Sequence, residues 1–224
     1  VSDRRTRAIV LRRTNYGEAD RIVQFLTPEG RQSVIARGVR KEKSKLAGGI
    51  ELFAVSDVVI HRGRGDMGVL TSARLVHFYR HILEDYDRLQ FGYEAVKQVG
   101  RATETVDESE WYDLLAETIA GLDVITIPRM LIEAWFYLRF AALLGHELSF
   151  KHDVGGEPLQ ANKRYMYDVS ERGLREHING ELTADHIKFL RLLNVKPLGT
   201  IVQIGGVNDI LPDCWHVARQ HAAI

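Results

Sequence analysis

Arg37, Arg40, Lys41, Lys43 and Lys45 place five cations within nine residues, at the end of one apolar stretch and in the loop that follows it. Phosphates along a nucleic-acid strand need several cations within reach of one backbone, and a loop presents them at little desolvation cost. Arg12, Arg21, Arg62 and Arg64 form a second set of candidates in a wider arc of arginines. A charge run by itself is as often a merely solvated loop. Its surroundings favour phosphate here: residues 1–80 carry 16 Lys+Arg against 8 Asp+Glu, while residues 81–224 carry 14 against 22, although the whole chain is neutral. Such asymmetry suggests one part that meets a polyanion and one that does not. Among the aromatics available for stacking on bases, Phe25 and Phe53 follow apolar faces and read as core, and Tyr16, in a loop, is the better candidate.

Other chemistry finds little support. His77 and His81 stand four apart without the accompanying carboxylates a metal site needs, and read as two exposed histidines. Cys214 is the single cysteine, which excludes an intramolecular disulfide and a four-cysteine zinc site. Its neighbours Trp215 and His216 are too close in sequence to form a facing nucleophile–base pair on a helix. No Gly-Lys-Ser/Thr phosphate loop is present. Gly63-Arg64-Gly65-Asp66-Met67-Gly68 has the letters of a dinucleotide fingerprint, but strand-like residues follow it instead of a helix, so it reads as a turn. The expectations are a binding protein and not an enzyme, with no catalytic residues, no metal and no cofactor. No apolar run reaches membrane-spanning length and no secretory signal opens the chain, so a cytoplasmic, nucleoid-associated location is expected.

The elements that would position the cations are strands. Apolar stretches at 7–12, 21–27, 32–39, 52–61 and 69–78, separated by turn residues, predict five short strands with no helix between them. That pattern suits a small barrel of the oligonucleotide-binding kind over residues 1–80. From Tyr79 onward apolar residues recur at helical spacing: one helix to about 105, a second after Asp107-Glu108-Ser109-Glu110, and a third, apolar all round, from Arg129 to Leu144. Shorter helices are predicted over 183–193 and 212–222, and residues 148–180 read as irregular. The fold class is α+β: a barrel, then a helical domain over 81–224 with an irregular insertion at about 146–180.

Several of these segments carry a family resemblance. Thr6-Arg7-Ala8-Ile9-Val10-Leu11-Arg12 followed by Tyr16-Gly17-Glu18-Ala19-Asp20-Arg21-Ile22 resembles the opening of the bacterial DNA repair protein family RecO. So do Leu26-Thr27-Pro28-Glu29-Gly30, Ala36-Arg37-Gly38-Val39-Arg40, Lys43-Ser44-Lys45-Leu46-Ala47-Gly48, Glu51-Leu52-Phe53 and Tyr137-Leu138-Arg139-Phe140-Ala141-Ala142-Leu143-Leu144-Gly145, in order and at matching spacing over most of residues 4–150. The resemblance implies an oligonucleotide-binding fold and a recombination mediator that binds single- and double-stranded DNA and anneals complementary strands. It also implies work with RecR to load RecA onto strands coated by single-stranded-DNA-binding protein. Many members of that family carry a four-cysteine zinc site after the Leu-Leu-Gly helix; here the corresponding stretch, His152 to Leu159, has no cysteine. The rival reading is an RNA-binding barrel without a repair role, since small barrels bind either nucleic acid.

Overall fold

The computed structural model describes residues 2–62, 65 and 67–223. Its five N-terminal strands are β1 (Ser2–Tyr16), β2 (Asp20–Thr27), β3 (Gly30–Ala36), β4 (Ala54–Arg62) and β5 (Gly68–Phe78). They pair in the order β1-β2-β3-β5-β4. The long β1 closes the ring, pairing antiparallel with β4 along its first half and with β2 along its second. The remaining seam is short: β3 meets β5 in parallel at Val34–Gly68 and Ile35–Val69. Inward alternation fills the barrel with Val10, Val23, Phe25, Val34, Val58 and Ile60, so the expected oligonucleotide-binding architecture is present.

Several boundaries differ from the sequence expectation: β1 runs on through Tyr16, expected in a loop, and β3 stops at Ala36, short of Val39. β1 starts at Ser2, because pairing with β4 holds a polar stretch extended where no apolar alternation marks a strand. β4 starts at Ala54, because Phe53 takes a left-handed backbone (φ 56°) that turns the chain and sends its ring into the core. Phe53 is therefore core, as its apolar context suggested, but it belongs to a turn.

A 3-10 turn at Arg80–Glu84 leads into α1 (Tyr86–Ala102), whose cap Asp85 accepts from the Arg88 amide at 3.0 Å. α2 (Glu110–Asp123) follows, burying Trp111, Leu114, Leu115, Ile119 and Leu122. The chain divides into two compact units between Asp123 and Val124, so α1 and α2 group with the barrel. That division locates the acidic excess: residues 81–123 hold three Lys+Arg against eleven Asp+Glu, whereas residues 124–224 hold eleven of each.

The second unit is built on α3 (Arg129–Leu143), buried nearly all round as its composition predicts. Residues expected to be irregular contain a two-stranded hairpin, β6 (Tyr165–Asp168) with β7 (Gly173–Glu176). α4 (Ala184–Val195), the single-turn α5 (Leu198–Ile201) and α6 (Leu211–Ala222) complete it. In the stretch where the RecO resemblance would put zinc ligands, a side chain organises the turn: the Asp153 carboxylate accepts from the amides of Gly155 (2.8 Å) and Glu157 (2.9 Å).

Candidate nucleic-acid interface

The five clustered cations occupy a loop with a fixed backbone and exposed heads. β3 ends at Ala36, and Gly38 takes a left-handed conformation (φ 63°) that reverses the chain. Val39, 3% exposed, then inserts into the barrel core as an anchor. The Gly38 amide donates to the Asp20 carboxylate at 2.7 Å, and the Arg40 amide to the Ala19 carbonyl at 2.9 Å. Both partners lie at the start of β2 or in the turn before it, so the loop is tied to the β1–β2 turn. Further on, the Lys41 amide bonds Gly38 O (3.1 Å), Ser44 bonds Lys41 O (3.0 Å), and the Ser44 hydroxyl accepts from the Leu46 amide (3.2 Å). A 3-10 turn at Ala47–Ile50 ends the loop, with Gly49 against the Ala73 backbone so closely that an added Cβ would sit 2.5 Å from its carbonyl.

On this scaffold Arg37, Arg40, Lys41, Lys43 and Lys45 are all exposed. The Arg40 guanidinium donates to the Gly17 carbonyl at 3.3 Å, crossing to the β1–β2 turn beside Tyr16, the last residue of β1 and 55% exposed. Arg21 joins the group: it pairs with Ala36, directly before Arg37, and its Nε donates to Asn15 Oδ1 at 3.1 Å. A polyanion reaching this end of the barrel meets cations whose positions cost little further ordering.

The remaining candidates stand elsewhere. Arg62, at the end of β4, hydrogen-bonds the Gln32 side chain. Gln32 is five residues back from Arg37 along β3, a rise of about 16 Å. Arg12 faces outward, opposite Gln24 of β2, because a bulge between Val10 and Arg12 reverses the alternation. The same bulge turns Arg13 toward Ile50 O (3.2 Å) and Glu51 (3.0 Å). Arg64 lies outside the described residues, as do Gly63 and Asp66 of the glycine-rich segment, which connects two strands.

Arg5 and Arg7 of the wider arc of arginines on β1 form a second patch with Arg74 of β5, which sequence reasoning passed over. Asp57 sits between Arg74 (3.1 Å) and Arg7 (3.2 Å), and hydrogen bonds from those two guanidinium groups, Arg74 foremost, hold its carboxyl below the usual range. Arg5 lines the same shallow cleft. One carboxylate thus answers part of the charge of three arginines. Arg74 carried no signal, standing alone between Ala73 and Leu75.

Groups with catalytic potential are spoken for. Cys214 is fully buried, and burial pushes its thiol up to about 12, far from a thiolate at neutral pH. His81 and His77 both turn toward one carboxylate, Asp123 (3.3 and 3.9 Å), which also accepts from the His81 amide at 2.8 Å. Among the described residues no group of three or more His, Cys, Asp or Glu side chains could hold a metal ion. No helix among them is long and apolar enough to cross a membrane.

Comparison with known proteins points the same way as the geometry. Residues 2–79 match the sequence model of a family described as "Recombination protein O N terminal". The chain is 38% identical over 120 residues to a DNA repair protein RecO of Roseiflexus sp. (strain RS-1), covering 53% of this chain and 42% of that protein. It is 32% identical over 143 residues to a protein of the same name from Rubrobacter xylanophilus, covering 63% and 57%. A third, from Dehalococcoides mccartyi (strain CBDB1), is 26% identical over 220 residues, 94% of this chain and 86% of that one. The matched stretch thus spans about half the length of the first two relatives.

Proposed function

We propose that the chain belongs to the RecO family, whose N-terminal sequence model its barrel matches over residues 2–79, and that it is a non-enzymatic mediator of DNA repair and recombination. Its barrel binds single- and double-stranded DNA through Arg37, Arg40, Lys41, Lys43 and Lys45, with Arg21 beside them. The observation that carries this reading is the loop itself: five exposed cations on a backbone tied to Asp20, Ala19 and the barrel core. Exposed ammonium and guanidinium heads on a fixed loop suit a phosphate ladder, whose binding depends on the number of counterions displaced and not on base identity.

Annealing of complementary strands follows chemically from such a surface, because cations that neutralise two backbones lower their mutual repulsion. In this reading RecR and the single-stranded-DNA-binding protein are protein partners, and RecA is loaded indirectly through them. The test is annealing of two complementary oligonucleotides coated with the cognate coating protein. The expected result is faster annealing with the chain than without it. Competition between single-stranded DNA and an RNA of matched sequence separates this reading from the RNA-binding one. Preference for the RNA, with no acceleration of DNA annealing, would overturn the repair assignment.

A further inference from the structure

A second cationic site lies where α1 crosses the outer face of the barrel. A cleft of about 630 Å³ opens there, and five cations but only one carboxylate, Glu104, line it. Arg12 and Arg31 come from the barrel; Tyr93, Lys97, Arg101 and Glu104 come from α1 and the turn after it. The spacing of 93, 97 and 101 puts one aromatic and two cations on a single stripe of the helix.

The placement of those helix cations is selective. Residues 81–123 are strongly acidic and contain only Arg88, Lys97 and Arg101 as cations. Arg88 is buried and donates to Leu122 O at 2.9 Å. Both exposed cations of the segment therefore face the cleft, opposite Arg12. Arg31 is already engaged, bonding Gly100 O (2.9 Å) and Gln24 (2.5 Å) and standing 3.6 Å from Glu104. It stiffens the wall and answers the one acid. Arg12, Lys97 and Arg101 are exposed and make no side-chain ion pair or hydrogen bond among the described residues. Tyr93, at one end of the helix stripe, is 45% exposed, its ring edge-on against Phe53 at 5.2 Å. A pre-set aromatic face beside unpaired cations is what a single nucleic-acid strand needs: a base to stack and the adjoining phosphates to neutralise. An acidic peptide would use the cations but leave the ring without a role.

We infer that this cleft is a second single-strand site, in which Arg12, Lys97 and Arg101 take phosphates and Tyr93 takes a base. The inference rests on the DNA-binding reading above and extends it from the loop to α1. Arg12 lies five residues along β1 from Gly17, about 16 Å, so loop and cleft are separate contacts on one strand of nucleic acid.

The test is a salt titration of oligothymidylate binding by the full chain and four variants. K97A/R101A removes two exposed helix cations, and alanine favours the helix, so its melting temperature should match the parent's. Its log–log salt slope should flatten by about 1.4, a loss of about twentyfold at about 0.1 M salt. Y93A should bind about tenfold more weakly with an unchanged slope, and Y93F should bind like the parent. Parent affinity and slope in K97A/R101A, alongside weakened binding by R40A/K41A/K43A, would overturn the cleft and leave the loop reading intact. Failure of the parent chain to bind would overturn both. An oligoglutamate peptide bound by the parent and lost in K97A/R101A, with DNA binding unchanged, would reassign the cleft to acidic peptides and overturn the inference.

Discussion

The loop at 37–45 and the cleft beside α1 are both cationic, yet they are made in opposite ways. In the loop the charges are contiguous in sequence, and the fold contributes a fixed backbone beneath them. In the cleft they come from two strands and a helix, and the fold itself is what brings them together. Of the loop cations, Arg40 makes a side-chain bond, and it goes to a neutral carbonyl. In the cleft the cations split between those consumed by structure, Arg13 and Arg31, and those left for a ligand. Contiguous charge reveals a site to a reader of the sequence, whereas assembled charge reveals it only once register and packing are known.

Truncation breaks the comparison most drastically. A fragment ending at residue 80 keeps the loop but loses α1, and with it the cover over Phe53 and the Gly100 carbonyl that Arg31 needs. It should lack a cooperative thermal transition by circular dichroism, whereas a fragment ending at residue 123, the limit of the compact unit, should keep one. Equal cooperativity in both would mean that the helices are not part of the barrel's folding unit.

Val39 sharpens the comparison next. Val39→Ala removes two methyl groups from a filled core and should destabilise the protein by about 2 kcal/mol, whereas Lys97→Ala should change stability by less than about 0.5 kcal/mol. Urea denaturation of both variants checks the difference. Asp20 gives a smaller effect. Asp20→Asn keeps an acceptor for the Gly38 amide and Asp20→Ala does not, while both remove the same charge. The alanine variant should be less stable by about 1 kcal/mol, and should bind oligothymidylate a few-fold more weakly than the asparagine variant because its loop is less ordered.

The smallest effect belongs to the second unit, which carries no net charge. His221 is buried, its Nε2 donating to the His146 carbonyl (2.6 Å) and its Nδ1 accepting from the Tyr167 hydroxyl (2.9 Å). Burial above all, with Arg172 nearby, lowers its pKa below the ordinary value of 6.5. The unfolded chain then binds a proton that the folded chain resists, so stability is full above about pH 6.5 and falls as pH drops toward the folded pKa. The melting temperature should decline over that window, and less so in His221→Gln. A decline of equal size in the variant would place the pH dependence elsewhere.

Much of this was legible in advance for definite reasons. Four of the five barrel strands show apolar alternation, and the helices show their own period. The loop cations and Tyr16 announce themselves by density and position. What was hidden depends on register. The bulge after Val10 sends Arg12 outward and Arg13 inward, and nothing in Val10-Leu11-Arg12-Arg13 marks it. The hairpin at 165–176 is too short, at four residues per strand, for alternation to register. The stripe of Tyr93, Lys97 and Arg101 could have been seen by asking where the rare cations of an acidic segment fall, but its facing wall could not.

The loop's role as the phosphate-contacting surface is tested most directly by the salt dependence of oligothymidylate binding. If its five cations each neutralise about one phosphate, the full chain's log affinity falls against log salt with a slope of about −3.5 or steeper. R40A/K41A/K43A should flatten that slope by about 2. A slope unchanged in the triple variant would remove the loop from the DNA-binding surface.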